Sequence, residues 1–316
     1  MRANTKFLYL ALLALALIAP LIGVYPVFLM KALCFALFAC AFNLLLGFTG
    51  LLSFGHAAFL GTGGYLAGYS IKSLGLPFEL SLIAGTLAAA AVGYAVGSLA
   101  IRRQGIYFAM ITLALSQLIY FIYLQAPFTG GEDGIQGIPR GKLLGLIDLE
   151  NDWIFYYVVL AIFLFGFWLV YRTIHSPFGQ ILKSIRENEP RAISLGYDVD
   201  KYKLLAFVIS AGLAGLAGST KVVALHLASL TDVTWQASGE VVLMTLVGGL
   251  GTVLGPVVGA FVVVALQNYL ASYGSWVTVI MGVIFVICVL AFRRGLVGEL
   301  QAKFGRPNSS GSTIPP

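Results

Sequence analysis

The chain has 316 residues, of which 59% are hydrophobic and only 10% are Asp, Glu, Lys or Arg. A soluble domain carries roughly a quarter of charged residues, and a disordered chain has less apolar content, so both classes are excluded. The 37 glycines are typical of membrane helices, in which small residues let backbones approach closely. We therefore expect an all-α membrane protein. Its net charge of +6 indicates basic cytoplasmic loops rather than nucleic-acid binding.

Apolar stretches of about 20 residues, the length that crosses the hydrocarbon core as a helix, predict the membrane segments in chain order. Uncharged stretches lie at 7–30 (with the segment ending near 20–26), at 32–71 (two segments with a break at 43–50), and at 80–101, 104–131, 153–171 and 241–292. A further segment at 204–227 carries one charge, Lys221, near its outer end. The stretch at 241–292 is 52 residues long, which is enough for more than two crossings.

The charged segments between these stretches predict the side of the membrane on which each lies. Segment 172–203 carries six basic residues, whereas segment 127–152 carries five acidic residues and two basic ones. Because cytoplasmic loops are enriched in Lys and Arg, 172–203 is predicted to be cytoplasmic and 127–152 external. The basic segment after residue 292 is predicted to be cytoplasmic too, so an even number of crossings must separate it from 172–203.

The segment 204–227 and two ordinary helices in 241–292 would give three crossings, which is an odd number. A fourth crossing by a short, broken helix at about 236–249 makes the number even. Such a helix is tolerated where neighbouring protein covers its ends. The prediction is then about ten transmembrane segments with both termini cytoplasmic. Residues 1–295 are expected to form one membrane domain. Residues 296–316 lack apolar periodicity and are expected to form a disordered cytoplasmic tail.

The first apolar stretch has two interpretations. Arg2 and Lys6 precede it, and residues 14–16 have the small side chains of a signal-peptide cleavage site. We favour a retained first helix, because the apolar stretch continues beyond that site.

Glycines spaced four residues apart predict flat strips on helix faces. Gly64 and Gly68 form one pair, and Gly251, Gly255 and Gly259 form a series of three. We favour close helix packing for both strips, and the alternative is that they line a pathway through the membrane.

Polar side chains interrupt two of the apolar segments. Ser53 and His56 are three residues apart, which would place them on one helical face, and a membrane-embedded histidine indicates a functional site. The alternative is a hydrogen bond from His56 to a neighbouring helix. Thr112 and Ser116 either line a pathway for a polar solute or bond the carbonyls one turn back.

The cytoplasmic segment 172–203 predicts two short helices. Ser176 and Pro177 are a typical helix start, Pro190 begins a second helix, and Gly196 ends it. Both helices have apolar positions that need a surface to dock on. A partner protein is favoured over the lipid surface, because anionic lipid would repel the acidic residues between them.

Motifs for chemistry are absent from the sequence. It contains no phosphate-binding loop and no spacing of His, Cys or acidic residues typical of a metal or catalytic site. We therefore expect no cofactor, no metal and no enzymatic activity. Carboxylates, which ion-coupled carriers use inside the membrane, are almost absent from the apolar stretches, so an energised transporter of this kind must obtain its energy from a partner.

Three stretches carry a family resemblance. They are 51–59 (LLSFGHAAF), 185–218 with IRENEPRAISLG and YKLLAFVISAGLAGLAG, and 248–260 (GGLGTVLGPVVGA). The chain resembles the permease subunits of bacterial ABC importers for branched-chain amino acids, most closely the second of the two permeases in those systems. The coupling motif of the family, Glu-x-x-Ala-x-x-x-Gly, falls on Glu189, Ala192 and Gly196, directly after Arg186 and Glu187.

The resemblance implies a transport subunit in the bacterial inner membrane that works with several partners. These are two cytoplasmic ABC ATPases, a second related permease in preference to a second copy of the same chain, and a periplasmic or lipid-anchored solute-binding protein. A permease of the same architecture for urea or short amides is the nearest alternative. A self-sufficient channel or secondary carrier is the alternative from another class.

Overall fold

The computed structural model describes residues 16–23, 25–143, 145, 147–274, 276–291 and 295–304. The described helices are α1 (Pro26–Thr49), α2 (His56–Lys72), α3 (Phe78–Ala100), α4 (Ile106–Gln125), α5 (Asp152–His175), α6 (Pro177–Glu187), α7 (Glu189–Ser194), α8 (Val199–Leu225), α9 (Trp235–Gly248), α10 (Gly255–Leu270), α11 (Trp276–Ala291) and α12 (Gly295–Phe304). Short 3-10 turns lie at Ala19–Ile22, Pro127–Thr129, Leu230–Val233 and Ala271–Tyr273.

Two small antiparallel ladders join the connections between helices. Strand β1 (Ile135–Gln136) pairs with β4 (Leu227–Ala228), and β2 (Lys142–Leu143) pairs with β3 (Ile147–Asp148). The first ladder attaches the segment before α5 to the segment after α8. Arg140 strengthens this attachment, because its buried guanidinium donates to the Ala224 carbonyl oxygen at 3.1 Å.

Five described helices, α1, α3, α4, α5 and α8, are long and apolar enough to cross a membrane. In an apolar 18-residue stretch of each helix, 89% of the residues of α1 and 83% of those of α8 are buried. The corresponding shares for α3, α4 and α5 are only 33%, 28% and 39%. Helices α1 and α8 therefore form the centre of the bundle. The outer helices present apolar side chains outward, as lipid-facing helices do.

The short helix predicted at about 236–249 is present as α9, which has 14 residues and ends at Gly248. The first predicted membrane segment is only partly described, because residues 1–15 lie outside the described residues. The choice between a retained first helix and a signal peptide therefore stays a prediction, as does the count of ten segments.

Three boundaries differ from the predictions. The break expected at 43–50 lies at 50–55, because α1 continues to Thr49. Gly251 lies in the turn between α9 and α10 rather than on one helical face with Gly255 and Gly259. Residues 295–304 form α12, which packs on α9 and α10, so any unstructured tail begins later than residue 296. Residues 305–316 lie outside the described residues.

Glycines let α2 and α8 approach to backbone contact. A Cβ built on Gly63 would overlap the Gly215 carbonyl, and one built on Gly218 would overlap the Leu60 carbonyl oxygen. The predicted strip residues lie at the same interface, where Gly64 faces Val222 and Gly68 faces Val222 and Ile138. Small residues at a helix crossing increase van der Waals contact, which drives association where no hydrophobic effect acts between helices.

Gly259 plays the same part between α9 and α10. A Cβ built on it would overlap the Met244 carbonyl oxygen, and one on Gly255 would lie 2.6 Å from the Gly249 carbonyl oxygen. The short helix α9 is therefore held tightly against α10.

We predict that Gly218→Ala lowers the thermal midpoint of the detergent-purified chain, because the added methyl group collides with the backbone of α2. Overpacking of this kind costs about 1–3 kcal/mol. Gly212→Ala is the matched control on the same helix, since its Cβ would lie 3.5 Å from Ala90, an ordinary contact. The control gains helix propensity of about 1 kcal/mol and is expected to be at least as stable as the wild type. Equal midpoints for both variants would contradict the close packing.

Candidate functional site

The segment between α5 and α8 forms a compact helical pair whose starts are capped. The Ser176 hydroxyl accepts a hydrogen bond from the Gly179 amide at 3.3 Å, and Pro177 occupies the first turn of α6. The Asn188 side chain accepts from the Arg191 amide at 3.1 Å and caps α7. These starts lie where the sequence predicts them, because each cap satisfies an amide that the helix leaves unpaired.

The same pair docks on its own membrane helices through α6. Leu182 and Ile185 are buried, and α6 contacts α1, α5 and α8. The Arg186 guanidinium donates to the Gly47 carbonyl oxygen in the last turn of α1. Beside it, the Lys183 ammonium lies 5.7 Å from the centre of the Phe48 ring. Helix α6 is therefore fastened to one end of α1.

The acidic residues of the segment have different environments. The Glu189 carboxylate accepts from the Lys203 ammonium at 2.6 Å and from the Gln104 amide at 2.8 Å, so it ties α7 to α8 and to the start of α4. Glu187 is exposed. At the start of α8, the hydrogen bond from the Lys201 side chain lowers the pKa of the Asp198 carboxyl, and this carboxyl also accepts from the Lys201 amide at 3.3 Å.

The remaining motif residues shape α7 and leave its outer surface free. Ala192 is buried against Ile185 and Val199, and Gly196 ends the helical pair with φ +88, a left-handed conformation that glycine adopts without strain. Ile193 and Leu195 are 57% and 67% exposed. An apolar surface therefore remains on the side of α7 that faces away from the bundle.

The turn between α9 and α10 is held by Asn43, which the sequence did not single out. Its side-chain oxygen accepts from the Gly251 amide at 3.0 Å, and its amide group donates to the Thr252 carbonyl oxygen at 2.9 Å. The Thr252 hydroxyl donates to Gly249 and accepts from the Gly255 amide. Backbone groups that the turn leaves outside helices are satisfied in this way by protein.

Arg186 and this turn meet on the same stretch of α1. A Cβ built on Gly251 would lie 3.3 Å from both Arg186 Nη1 and the Gly47 carbonyl oxygen. Gly251 has φ +72, so a larger residue would be strained as well as crowded. The helical pair, the end of α1 and the turn after α9 therefore form one contact region, which we call the coupling junction (Asn43, Gly47, Arg186, Gly251 and Thr252).

His56 lies at the start of α2 and is fully buried. Its Nε2 is 2.7 Å from the Ser210 hydroxyl of α8, which donates to the Ala41 carbonyl oxygen of α1. A hydroxyl has one proton to donate, so Nε2 carries the proton of the His56 ring. Four aromatic rings surround it, those of Phe38, Phe42, Phe59 and Phe207. The hydrogen bond from His56 to a neighbouring helix, one of its two interpretations, is therefore present, and that helix is α8.

The other pathway candidates are buried around the break after α1. The Ser53 hydroxyl accepts from the Gly55 amide at 3.2 Å, and the Thr112 hydroxyl accepts from the Phe54 amide at 3.3 Å and donates to the Ala109 carbonyl oxygen. The Ser116 hydroxyl donates to the Leu113 carbonyl oxygen. Ser53 precedes α2, so the expectation that it shares a helical face with His56 is wrong.

The chain matches the family model for the permease component of branched-chain amino acid transport systems over residues 24–289. It belongs to this family. Among the residues that the family model covers are the whole coupling junction, the α6–α7 pair and the short helix α9.

Curated relatives agree with this membership. The chain is 27% identical to the high-affinity branched-chain amino acid transport system permease protein LivM of Escherichia coli, over 81% of this chain and 65% of that protein. The corresponding protein of Salmonella typhimurium is 27% identical over 84% of this chain and 68% of the relative. The ribose import permease protein RbsC of Bacillus subtilis is 28% identical over 58% of each chain. No solved structure matches this chain significantly.

We predict that Asn43→Leu destabilises the protein, because it leaves the Gly251 amide and the Thr252 carbonyl without their partners. Each buried unsatisfied group costs about 1–3 kcal/mol. Gln117→Leu is the control, since this amide also lies in a membrane helix and no hydrogen bond involves its side chain in the described part of the chain. The thermal midpoint in detergent should fall for Asn43→Leu and stay near the wild-type value for Gln117→Leu. A fall of the same size in both would contradict the role of Asn43.

Proposed function

We propose that this chain is the membrane-spanning permease subunit of an ATP-driven ABC importer for branched-chain amino acids. Family membership over residues 24–289 and the branched-chain amino acid transport that the LivM relatives are named for support the proposal. The chain spans just under two thirds of the length of the Escherichia coli relative. Its partners in the proposal are two cytoplasmic ATPases, a second related permease and an external solute-binding protein, in the bacterial inner membrane.

The orientation follows from the charges at the two ends of the bundle. One end joins the α6–α7 pair to the start of α4 through Glu189 and Gln104. The opposite end joins β1 to β4 and holds the Lys72 ammonium on the Gln136 carbonyl oxygen. Because segment 172–203 is rich in basic residues, the first end is cytoplasmic in the proposal. Ten crossings, with α9 as the short one, then leave both termini on that side.

The observation that carries the mechanism is the contact of Arg186 with Gly47 beside the turn after α9. In the proposal, the ATPases bind the exposed apolar surface of α7 and move the α6–α7 pair when they close on ATP. Arg186 transmits that movement to the end of α1, and through Gly251 to the turn that separates α9 from α10. The short helix and the central helix α1 then move together and open the passage to the other side.

We predict that Ile193→Asp prevents co-purification of the chain with its ATPases, because a buried carboxylate without a partner is strongly unfavourable in an apolar interface. Leu74→Asp is the matched control, since Leu74 is 60% exposed in the connection between α2 and α3 at the opposite end. The ATPases should remain bound to the Leu74→Asp chain. Retention of the ATPases by both variants would contradict α7 as the docking surface.

We also predict that Arg186→Ala separates binding from transport. The variant should retain the ATPases, since Arg186 reaches inward to α1, yet lose most ATP-dependent leucine uptake by reconstituted proteoliposomes. Arg191→Ala is the control, because Arg191 is exposed on α7 and its side chain makes no contact with α1 in the described part of the chain. Uptake of leucine without ATP by the chain alone would instead indicate a channel or secondary carrier. Preferential uptake of urea would indicate the amide permease.

A further inference from the structure

A cavity of about 590 Å³ opens among α1, α8, α9 and the turn Leu230–Val233. Its lining includes Lys31, Lys221, Asp232 and Glu240, together with the apolar side chains of Phe35 and Leu225. We call it the outer cavity, because it lies near the end of α8 that is joined to β1 and β4, opposite the coupling junction. The volume falls within the range of small-molecule sites, about 300–1,000 Å³.

The position of these charges needs an explanation. Ionisable side chains within membrane segments are expensive and mark functional sites, and this chain has very few of them. Lys31 lies in α1, Lys221 in α8 and Glu240 in α9. Helix α1, which is far from α8 and α9 in the sequence, and these two consecutive helices therefore each bring a charged residue to one cavity. The two lysines and two acids also sum to no net charge, so the site does not select simple cations or anions.

One pair within the cavity is already satisfied. The Lys221 ammonium forms a salt bridge with the Asp232 carboxylate, and both side chains are largely buried. The same ammonium lies 5.0 Å from the centre of the Phe35 ring. This pair fastens the end of α8 to the turn that precedes α9, which is a structural role.

Lys31 and Glu240, the other two charged residues of the cavity, do not form a pair of this kind. Within the described residues, neither Lys31 nor Glu240 forms a salt bridge or a side-chain hydrogen bond, and both side chains are half-buried at the cavity wall. A cation and an anion that face one cavity, next to an apolar wall, match the three parts of an aliphatic α-amino acid. Its carboxylate needs a positive partner, its ammonium a negative one, and its side chain an apolar surface.

We propose that the outer cavity receives a zwitterionic aliphatic amino acid, with Lys31 binding its carboxylate and Glu240 its ammonium group. Phe35 and Leu225 then contact its side chain. Gln267, which also lines the cavity, supplies a further hydrogen bond. The inference rests on the proposed transport function and adds the class of solute that this chain itself recognises. Urea or a sugar offers the two charges only neutral hydrogen-bonding groups, which bind them more weakly than the opposite charges of a zwitterion do.

The test is protection of an introduced thiol in the full complex with its ATPases and binding protein, in proteoliposomes. Gln236→Cys places a thiol at an exposed position in the cavity wall, in a chain that also carries Cys288→Ser. Cys34 and Cys40 are buried. Millimolar L-leucine should slow the reaction with a membrane-impermeant maleimide several-fold. Isocaproate, which lacks the ammonium group, and isoamylamine, which lacks the carboxylate, should protect much less, and urea and ribose should not protect.

Charge removal gives the second arm of the test. Lys31→Gln and Glu240→Gln should each raise about tenfold both the leucine concentration needed for half-protection and the KM for leucine uptake, the loss expected for one charge-assisted hydrogen bond. Lys72→Gln and Glu132→Gln make the same changes at the same end of the bundle outside the cavity, and should leave protection intact. The analogue comparison needs neither of the two charge-removal variants, so it holds even if one of them fails to assemble.

The outcomes separate the two proposals. ATP-dependent leucine uptake without protection of the thiol by leucine would overturn the outer cavity as a solute site and leave the transport function standing. Equal protection by leucine, isocaproate and isoamylamine would overturn the roles of Lys31 and Glu240. Uptake of urea or ribose in place of leucine would overturn the proposed function, and the inference with it.

Discussion

Backbone polar groups inside a membrane must be satisfied by protein, because lipid offers no hydrogen bonds. The described structure depends on how this chain satisfies the backbone groups at two helix breaks, one after α1 and one after α9. After α1, the side chains of Ser53 and Thr112 bond the amides of Gly55 and Phe54. After α9, Asn43 bonds both the amide of Gly251 and the carbonyl of Thr252. The side chains that satisfy the breaks come in part from helices distant in sequence, so each break also joins helices together.

The second break lies where control of a transporter needs a movable element. A turn held by a few side-chain hydrogen bonds opens at lower cost than a continuous helix, in which every residue adds a bond. The Arg186 contact brings the α6–α7 pair to the same stretch of α1. A force on α7 therefore reaches the turn through two contacts, without passing along the tightly packed crossing of α2 and α8.

Much of this arrangement could be predicted because its causes are local. The helix start at Ser176 and Pro177, the second start near Pro190 and the stop at Gly196 follow from residues close in sequence. The short helix α9 follows instead from the number of crossings needed between two basic segments. The close contacts of Gly64 and Gly68 with Val222 agree with packing at small-residue spacings. The role of Asn43 and the convergence of Lys31, Lys221 and Glu240 could not be predicted, because the residues involved are separated by up to about 200 positions. The alternatives for His56 and Thr112 were also open, since a polar residue in a helix either faces a passage or bonds its neighbours.

The sequence by itself determined that the chain is a helical membrane protein, which segment carries the basic charge and which family it resembles. These follow from composition, hydrophobic length and short motifs, each of which is a property of contiguous residues. Only the tertiary structure decided which helices lie at the centre, where the helix breaks occur and which scattered charges share a cavity. Those outcomes depend on which faces pack together, and in a chain whose helices are apolar on nearly every side the pattern of hydrophobicity does not distinguish one face from another.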